Sequence, residues 1–286
     1  KGAGFNGSGL ADSYIAVFGA NNDEYMAEGT RVNEIIWGIP QDGDHLQNYG
    51  GTTFYIAAAS STSTPGLNMT NASTGLNSSW TCMNARTQLS ERFEWDDAGN
   101  SIDARASLWM TKKDGANIEN TSITNFADGY VPVKYTNYAY DEFGGIDVDN
   151  NPPASNAFAD ADWCVIRLAE IYLSAAEAAV RGAGDFNTAL EYVNYVRERA
   201  GVPAWTVAQL TAENILDERC RELYGENVRR TDLVRHNKYA GGAYNWNWKG
   251  NVGNGGAETP LHMNVFPIPA TVISFQNYTQ NDGYSK

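Results

Sequence analysis

The sequence predicts a mainly α fold: a helical bundle beside a loop-rich region that carries a few short strands. Three observations predict it. From Trp163 to Arg181 the chain is apolar except at Arg167, Glu170, Ser174, Glu177 and Arg181, and polar positions at alternating steps of three and four form one narrow stripe on a helix. After Gly182-Ala-Gly-Asp185, Phe186, Ala189, Leu190, Val193 and Val196 recur at helical spacing and stop at Gly201 and Pro203, which makes an αα-hairpin with the preceding segment. After Gln47 to Tyr55, by contrast, serine, threonine, asparagine and glycine dominate through Ser79. That composition is too polar for core, and long polar loops in compact domains are functional or mobile.

In chain order, Lys1 to Gly9 is glycine-rich and expected to fray. Asp12 to Phe18 has helical character and ends at Gly19. Asn33 to Pro40 is β-prone, and Trp37 reads as a core tryptophan because Ile35, Ile36 and Ile39 surround it. Leu89 and Phe93 give Gln88 to Trp95 a helical spacing. Within Ile102 to Met110, Asp103 and Arg105 read as a structural pair that satisfies a turn. Tyr130 to Tyr135 alternates as a strand does, and Lys134 there reads as a solvated strand-face lysine, with a ligand hydrogen bond as the alternative. Asp141 to Pro153 reads as a surface loop; a calcium ion on Asp147 and Asp149 is disfavoured because EF-hand spacing is missing.

A third helix is expected from Thr211 to Tyr224, with Ile215, Leu216, Cys220, Leu223 and Tyr224 on one side and Asp217, Glu218, Arg221 and Glu222 on the other. A shorter fourth runs from Val228 to Tyr239. Antiparallel helices with short links resemble a tetratricopeptide-type stack, although no clean repeat of that period is visible. If extended, Tyr244, Trp246 and Trp248 share one face. The prolines of Val265 to Pro269 hold an extended segment that docks on the helices. This divides the chain into a loop-rich region at 1–160, a bundle at 161–240 and an extended C-terminal segment at 241–286.

The composition, with 42% hydrophobic and 19% charged residues, is that of a globular chain able to bury a large core. A net charge of −14 argues against a nucleic-acid partner, which needs a basic face. The arginines from Arg219 to Arg235 are interleaved with Asp217, Glu218, Glu222, Glu226 and Asp232, a pattern of intramolecular ion pairs. Cys82, Cys164 and Cys220 are widely spaced; Cys164 and Cys220 fall on apolar faces and read as free and buried. Scattered His45, His236 and His262 do not suggest zinc, and no metal or cofactor is expected. The chain begins at Lys1 without a signal peptide, so a processed chain or a piece of a longer one is expected.

Five ordered segments carry a resemblance. Arg167-Leu-Ala-Glu-Ile-Tyr-Leu-Ser-Ala-Ala-Glu-Ala178, Val196-Arg-Glu-Arg-Ala-Gly201, Asp217 through Arg235, Phe266-Pro-Ile-Pro269 and Thr279-Gln-Asn-Asp-Gly-Tyr284 resemble the C-terminal part of the SusD/RagB family. The resemblance covers most of the chain from Asn33 onward and is nearest to the starch-binding branch; Ile102 to Met110 resembles the family's Asp-x-Arg segment, which implies a following strand. It implies a non-catalytic cell-surface glycan-binding lipoprotein of Bacteroidetes that works with a TonB-dependent (SusC-like) outer-membrane transporter. The family's N-terminal half, with a lipid-bearing cysteine and most of its tetratricopeptide helices, is expected to have preceded these residues.

Sugars present polar edges and C–H-rich faces, so a protein grips them with flat rings beside amide, carboxylate or guanidinium groups. Tyr49 flanked by Asn48, and Trp80 followed by Asn84 and Arg86, meet that need; Trp246 is a further candidate. For Trp80 the bland reading is a plug under its loop, and for Trp246 it is packing. Two other functions stand beside oligosaccharide or polysaccharide binding. A glycoside hydrolase needs a pair of carboxylates about 5–10 Å apart, and sequence spacing reveals none. A protein-interaction scaffold would use the same rings as core.

Overall fold

The computed structural model describes residues 2–60, 74–80, 82–96, 100–106, 132, 134–140, 157–242, 244–246, 248–253, 255–276 and 278–285. The polar stretch at 61–73, the strand expected beyond Ala106, most of Tyr130 to Val133 and the acidic loop Asp141 to Pro153 lie outside them in whole or part. The chain divides into two compact units, Lys1–Glu226 and Asn227–Lys286.

In the first unit the elements are β1 (Ile35–Ile39), α1 (Gly51–Ala59), α2 (Thr87–Ser90), β2 (Trp163–Arg167), α3 (Leu168–Val180), α4 (Phe186–Arg199) and α5 (Ala212–Leu223). Among the described residues this is the expected mainly helical class with few strands. The boundaries of the hairpin follow from sequence: the Asp185 carboxylate accepts from the Thr188 amide to cap α4, and Thr211 accepts from Asn214 to cap α5. Helix α3 packs against both α4 and α5, burying Leu173, Ala176, Val193, Val196 and Ile215 in one apolar cluster. A second cluster gathers Val17, Phe18, Ile35, Ile56, Tyr135 and Cys164.

Several expectations are corrected. Trp163 to Arg167 is not the first turn of the helix but a strand, because its aromatic and β-branched residues pair antiparallel with β1, Ile35 opposite Arg167 and Ile39 opposite Trp163. Trp37 is not core: it is 58% exposed. The register of β1 is irregular between Ile35 and Gly38, so Ile36 and Trp37 both face outward while Ile35 alone enters the core. Residues 2–9 do not fray, since Phe5 and Gly9 amides bond to the Leu10 and Ala3 carbonyls and the Tyr172 hydroxyl donates to the Ser8 carbonyl. Cys164 and Cys220 are free and buried, as expected.

The largest correction concerns charge. Glu218 and Glu222, placed by pattern on the polar side of α5, are fully buried. With Glu34, Asp103 and Glu226 they face the buried cations of Arg105, Lys134, Arg167, Arg197 and Arg199. Arg105 reaches Asp103 at 2.7 Å and Glu218 at 2.6 Å. Arg167 reaches Glu222 at 2.6 Å and Glu226 at 2.7 Å. Arg199 reaches Glu34 at 2.6 Å, and Arg197 reaches Glu218 at 2.6 Å. Lys134 is not a solvated lysine; its Nζ is buried 2.6 Å from the Glu226 carboxylate and donates to the Glu222 and Tyr224 carbonyls. Burial lowers its pKa to about 8, against the opposing pull of Glu226. Gly225, the residue that turns the chain from α5 toward Glu226, sits at φ +75°, where a Cβ would also collide with the Tyr55 hydroxyl.

The second unit holds α6 (Arg229–Arg235) and α7 (Ala270–Gln276). The extended segment Val265 to Pro269 docks as expected. The Arg230 guanidinium lies 3.7 Å from the Phe266 ring centre and donates to the Met263 carbonyl at 2.7 Å. The closing motif fastens its other side. The Gln280 amide both accepts from and donates to Ile268, Asn281 donates to the Phe266 carbonyl, and the Tyr284 hydroxyl donates to the Val265 carbonyl. The proposed common face of Tyr244, Trp246 and Trp248 does not form, because Trp248 adopts a left-handed conformation at φ 66° and begins a tight turn.

Candidate functional site

The loop that carries Tyr49 is built from its own acids and amides. The Asp162 and Asp160 carboxylates accept from the Gln41 and Gly43 amides, each at 2.7 Å, and anchor the loop's entry. Burial raises the Asp162 pKa to about 6, although the Gln41 hydrogen bond works the other way. Asp42 accepts from the Asp44 and His45 amides and from the His45 ring; the His45 bonds hold its carboxyl below the usual range. Asn48 donates to the Leu46 carbonyl and accepts from the Gly50 amide. Its side chain therefore closes the turn that presents Tyr49.

Trp80 arrives from the other end of α1. Its amide donates to the Ala57 carbonyl at 2.7 Å, and the Cys82 and Met83 amides both donate to Ala58, so the free carbonyls at the helix C-terminus hold the strand of chain that carries the indole. Met83 then packs on the core. The result brings Tyr49 and Trp80 together, ring centres 6.1 Å apart and planes inclined at 51°, with Tyr49 63% and Trp80 37% exposed. Phe158 backs Tyr49 at 5.0 Å, and Phe54 of α1 lies 5.7 Å from Trp80.

The remaining predicted residues stand differently. Asn84 and Arg86 are half-buried on the stretch that leads from Trp80 into α2, and burial lowers the Arg86 pKa. Trp246 belongs to the other unit, where it is half-buried, lies 6.3 Å from Tyr244 and has the Lys249 ammonium 4.6 Å over its ring. Sequence reasoning missed Phe54 and Phe158. Phe54 stands inside the stretch singled out for Tyr49; Phe158 lies in a short segment without periodicity, and no sequence signal tied it to Tyr49.

The geometry is that of an open, ring-lined surface on polar loops. A family model described as the SusD family matches residues 23–284. The starch-binding protein SusD of Bacteroides thetaiotaomicron is 30% identical over 96% of this chain and 53% of its own length. Surface glycan-binding protein A of Bacteroides fluxus superposes with a TM-score of 0.60 at 23% identity, over 96% of this chain and 54% of that one. The corresponding protein of Bacteroides thetaiotaomicron, solved in complex with laminarihexaose, gives 0.55 at 23% identity, over 95% and 55%. The chain thus spans about half the length of these relatives. With five sequence segments, the family match and the shared fold in agreement, the chain belongs to the SusD family.

Proposed function

We propose that this chain is the glycan-contacting part of a non-catalytic surface protein that binds oligosaccharide or polysaccharide through Tyr49 and Trp80. The observation that supports it is the pair of neighbouring, solvent-facing rings on anchored polar loops. A pyranose face laid on such rings exchanges water for C–H contact, and its hydroxyls meet the polar groups beside it. Each sugar contributes weakly, because its hydrogen bonds replace bonds to water. Repeated units raise apparent affinity by offering several registers.

Under this reading the loop-rich region 1–160 faces ligand and the bundle at 161–240 supports it, with Asn84 and Arg86 as secondary contacts; in the unit Asn227–Lys286, Trp246 is a candidate ring by itself. The starch in one relative's name and the laminarihexaose bound to another are both glucans, which favours a glucan. Delivery to a TonB-dependent outer-membrane transporter, and a lipid anchor on a preceding segment at the cell surface, complete the role that the family implies.

The test is affinity electrophoresis in gels containing soluble starch, laminarin or xylan, beside an assay for reducing ends. Retardation without sugar release is expected, and Trp80→Ala should weaken it roughly tenfold. Unchanged migration of that variant, or release of reducing ends by the purified chain, overturns the proposal.

A further inference from the structure

Helix α1 carries its polarity inside out. Thr52 and Thr53 are buried while Phe54, between them and buried Tyr55, is 49% exposed and is the one side chain of the helix facing water. Ordinary patterning places hydroxyls outward and the ring inward. Three bonds hold the reversed orientation. The Thr52 hydroxyl donates to the Ala161 carbonyl at 2.6 Å, Thr53 accepts from the Ala159 amide at 2.9 Å, and the Tyr55 hydroxyl donates to the Pro132 carbonyl at 2.8 Å. Together they set the rotation of the helix about its axis, so Phe54 cannot turn inward without breaking them. The exposed half of the ring adds nothing to folding.

Its neighbour explains the placement. Phe54 and Trp80 are 5.7 Å apart with planes inclined at 60°, while Tyr49 and Trp80 are inclined at 51°. Rings so tilted cannot all lie flat on one face of one sugar.

We propose that Phe54 is a further stacking ring of the site, so that Tyr49, Trp80 and Phe54 meet successive units of one glycan and the site selects for chain length. The proposal rests on the glycan-binding reading of Tyr49 and Trp80. Having no hydroxyl, Phe54 grips a sugar face without asking for a particular substituent, which makes it a sensor of length and not of linkage.

The test compares the 286-residue chain with Phe54→Ala, Phe54→Leu, Phe54→Tyr and Trp80→Ala, first in gels containing soluble starch, laminarin or xylan. Calorimetric titration then uses short and long oligosaccharides of whichever glycan retards the unsubstituted chain. Phe54→Ala and Phe54→Leu are expected to weaken the long oligosaccharide about 2- to 10-fold and leave the short one unchanged, while Phe54→Tyr, which keeps a flat ring, retains the affinity of the unsubstituted chain. Trp80→Ala should weaken both. Phe54→Leu keeps apolar bulk without a flat face, so its agreement with Phe54→Ala separates stacking from packing. If Phe54→Ala binds long chains normally while Trp80→Ala does not, this inference falls and the glycan-binding reading stands. Equal loss at both lengths also removes the length selection. Failure of every gel to retard the unsubstituted chain overturns both.

Discussion

Glu222 shows what a single residue does in this fold. Its carboxylate is buried with Arg199 at 2.5 Å, Arg167 at 2.6 Å and Arg105 at 3.2 Å. Burial works to raise its pKa, and the arginines outweigh burial and lower it. Glu222→Gln keeps the volume and leaves those guanidiniums short of one countercharge. The expected loss is about 3–5 kcal/mol in urea denaturation; a loss below about 1 kcal/mol would mean that water already compensates the network. Trp37 makes the opposite case. Buried, its replacement by alanine would cost about 3–5 kcal/mol, whereas at 58% exposure Trp37→Ala is expected to change stability by less than about 1 kcal/mol in the same assay. The sequence placed it wrongly because a run of isoleucines marks a strand but does not say which residues a register shift turns outward.

At the scale of elements, legibility followed the range of the interactions. Helices α3, α4 and α5 announced themselves through spacing and through Asp185, Thr211 and the glycines that bound them, all local signals. The strand β2 did not, since Trp163-Cys-Val-Ile-Arg167 continues the apolar run of α3 and becomes a strand only by pairing with β1, far away in sequence. The candidate site divides the same way. Tyr49 and Trp80 were visible as aromatics in polar loops, but their meeting depends on the carbonyls of Ala57 and Ala58, and the support from Phe158 was invisible. The closing motif is an element whose task can be tested directly. Gln280 bonds both the amide and the carbonyl of Ile268, so Gln280→Ala should speed hydrogen exchange at the Ile268 amide at least several-fold. Exchange unchanged at that amide would show that the prolines hold the segment without help.

Across the unit Lys1–Glu226, the buried charges join what the apolar clusters leave separate. Glu34 precedes β1, Arg167 ends β2, Arg197 and Arg199 lie on α4, Glu218 and Glu222 on α5, and Asp103, Arg105 and Lys134 come from irregular segments. Such a network makes the stability of the unit depend on acid in a direction that can be worked out. Burial tends to raise the Glu218 pKa, but Arg105, Arg221 and Arg197 prevail and take it from 4.5 down to about 2; Glu222 and Glu226 are lowered too. Glu218 therefore binds fewer protons folded than unfolded between about pH 4.5 and pH 2, and Glu222 and Glu226 shift in the same direction below about pH 4.5. Their stabilisation is fully present above the unfolded pKa and is lost as pH falls through that window. The surface acts the other way, since a chain of net charge −14 loses self-repulsion as its exposed carboxylates take up protons. The buried pairs should win, because exposed charges are screened over about 10 Å at 0.1 M salt and buried ones much less. The melting temperature, followed by circular dichroism, is thus expected to rise slightly from pH 7 to about 5, because the raised Asp162 carboxyl takes up its proton earlier folded than unfolded, and then to drop steeply toward pH 2.5. Added salt should leave that drop in place, and Glu222→Gln should make it shallower. A melting temperature that goes on rising below about pH 4 would mean that surface repulsion, and not the arginine–carboxylate core, governs the stability of this unit.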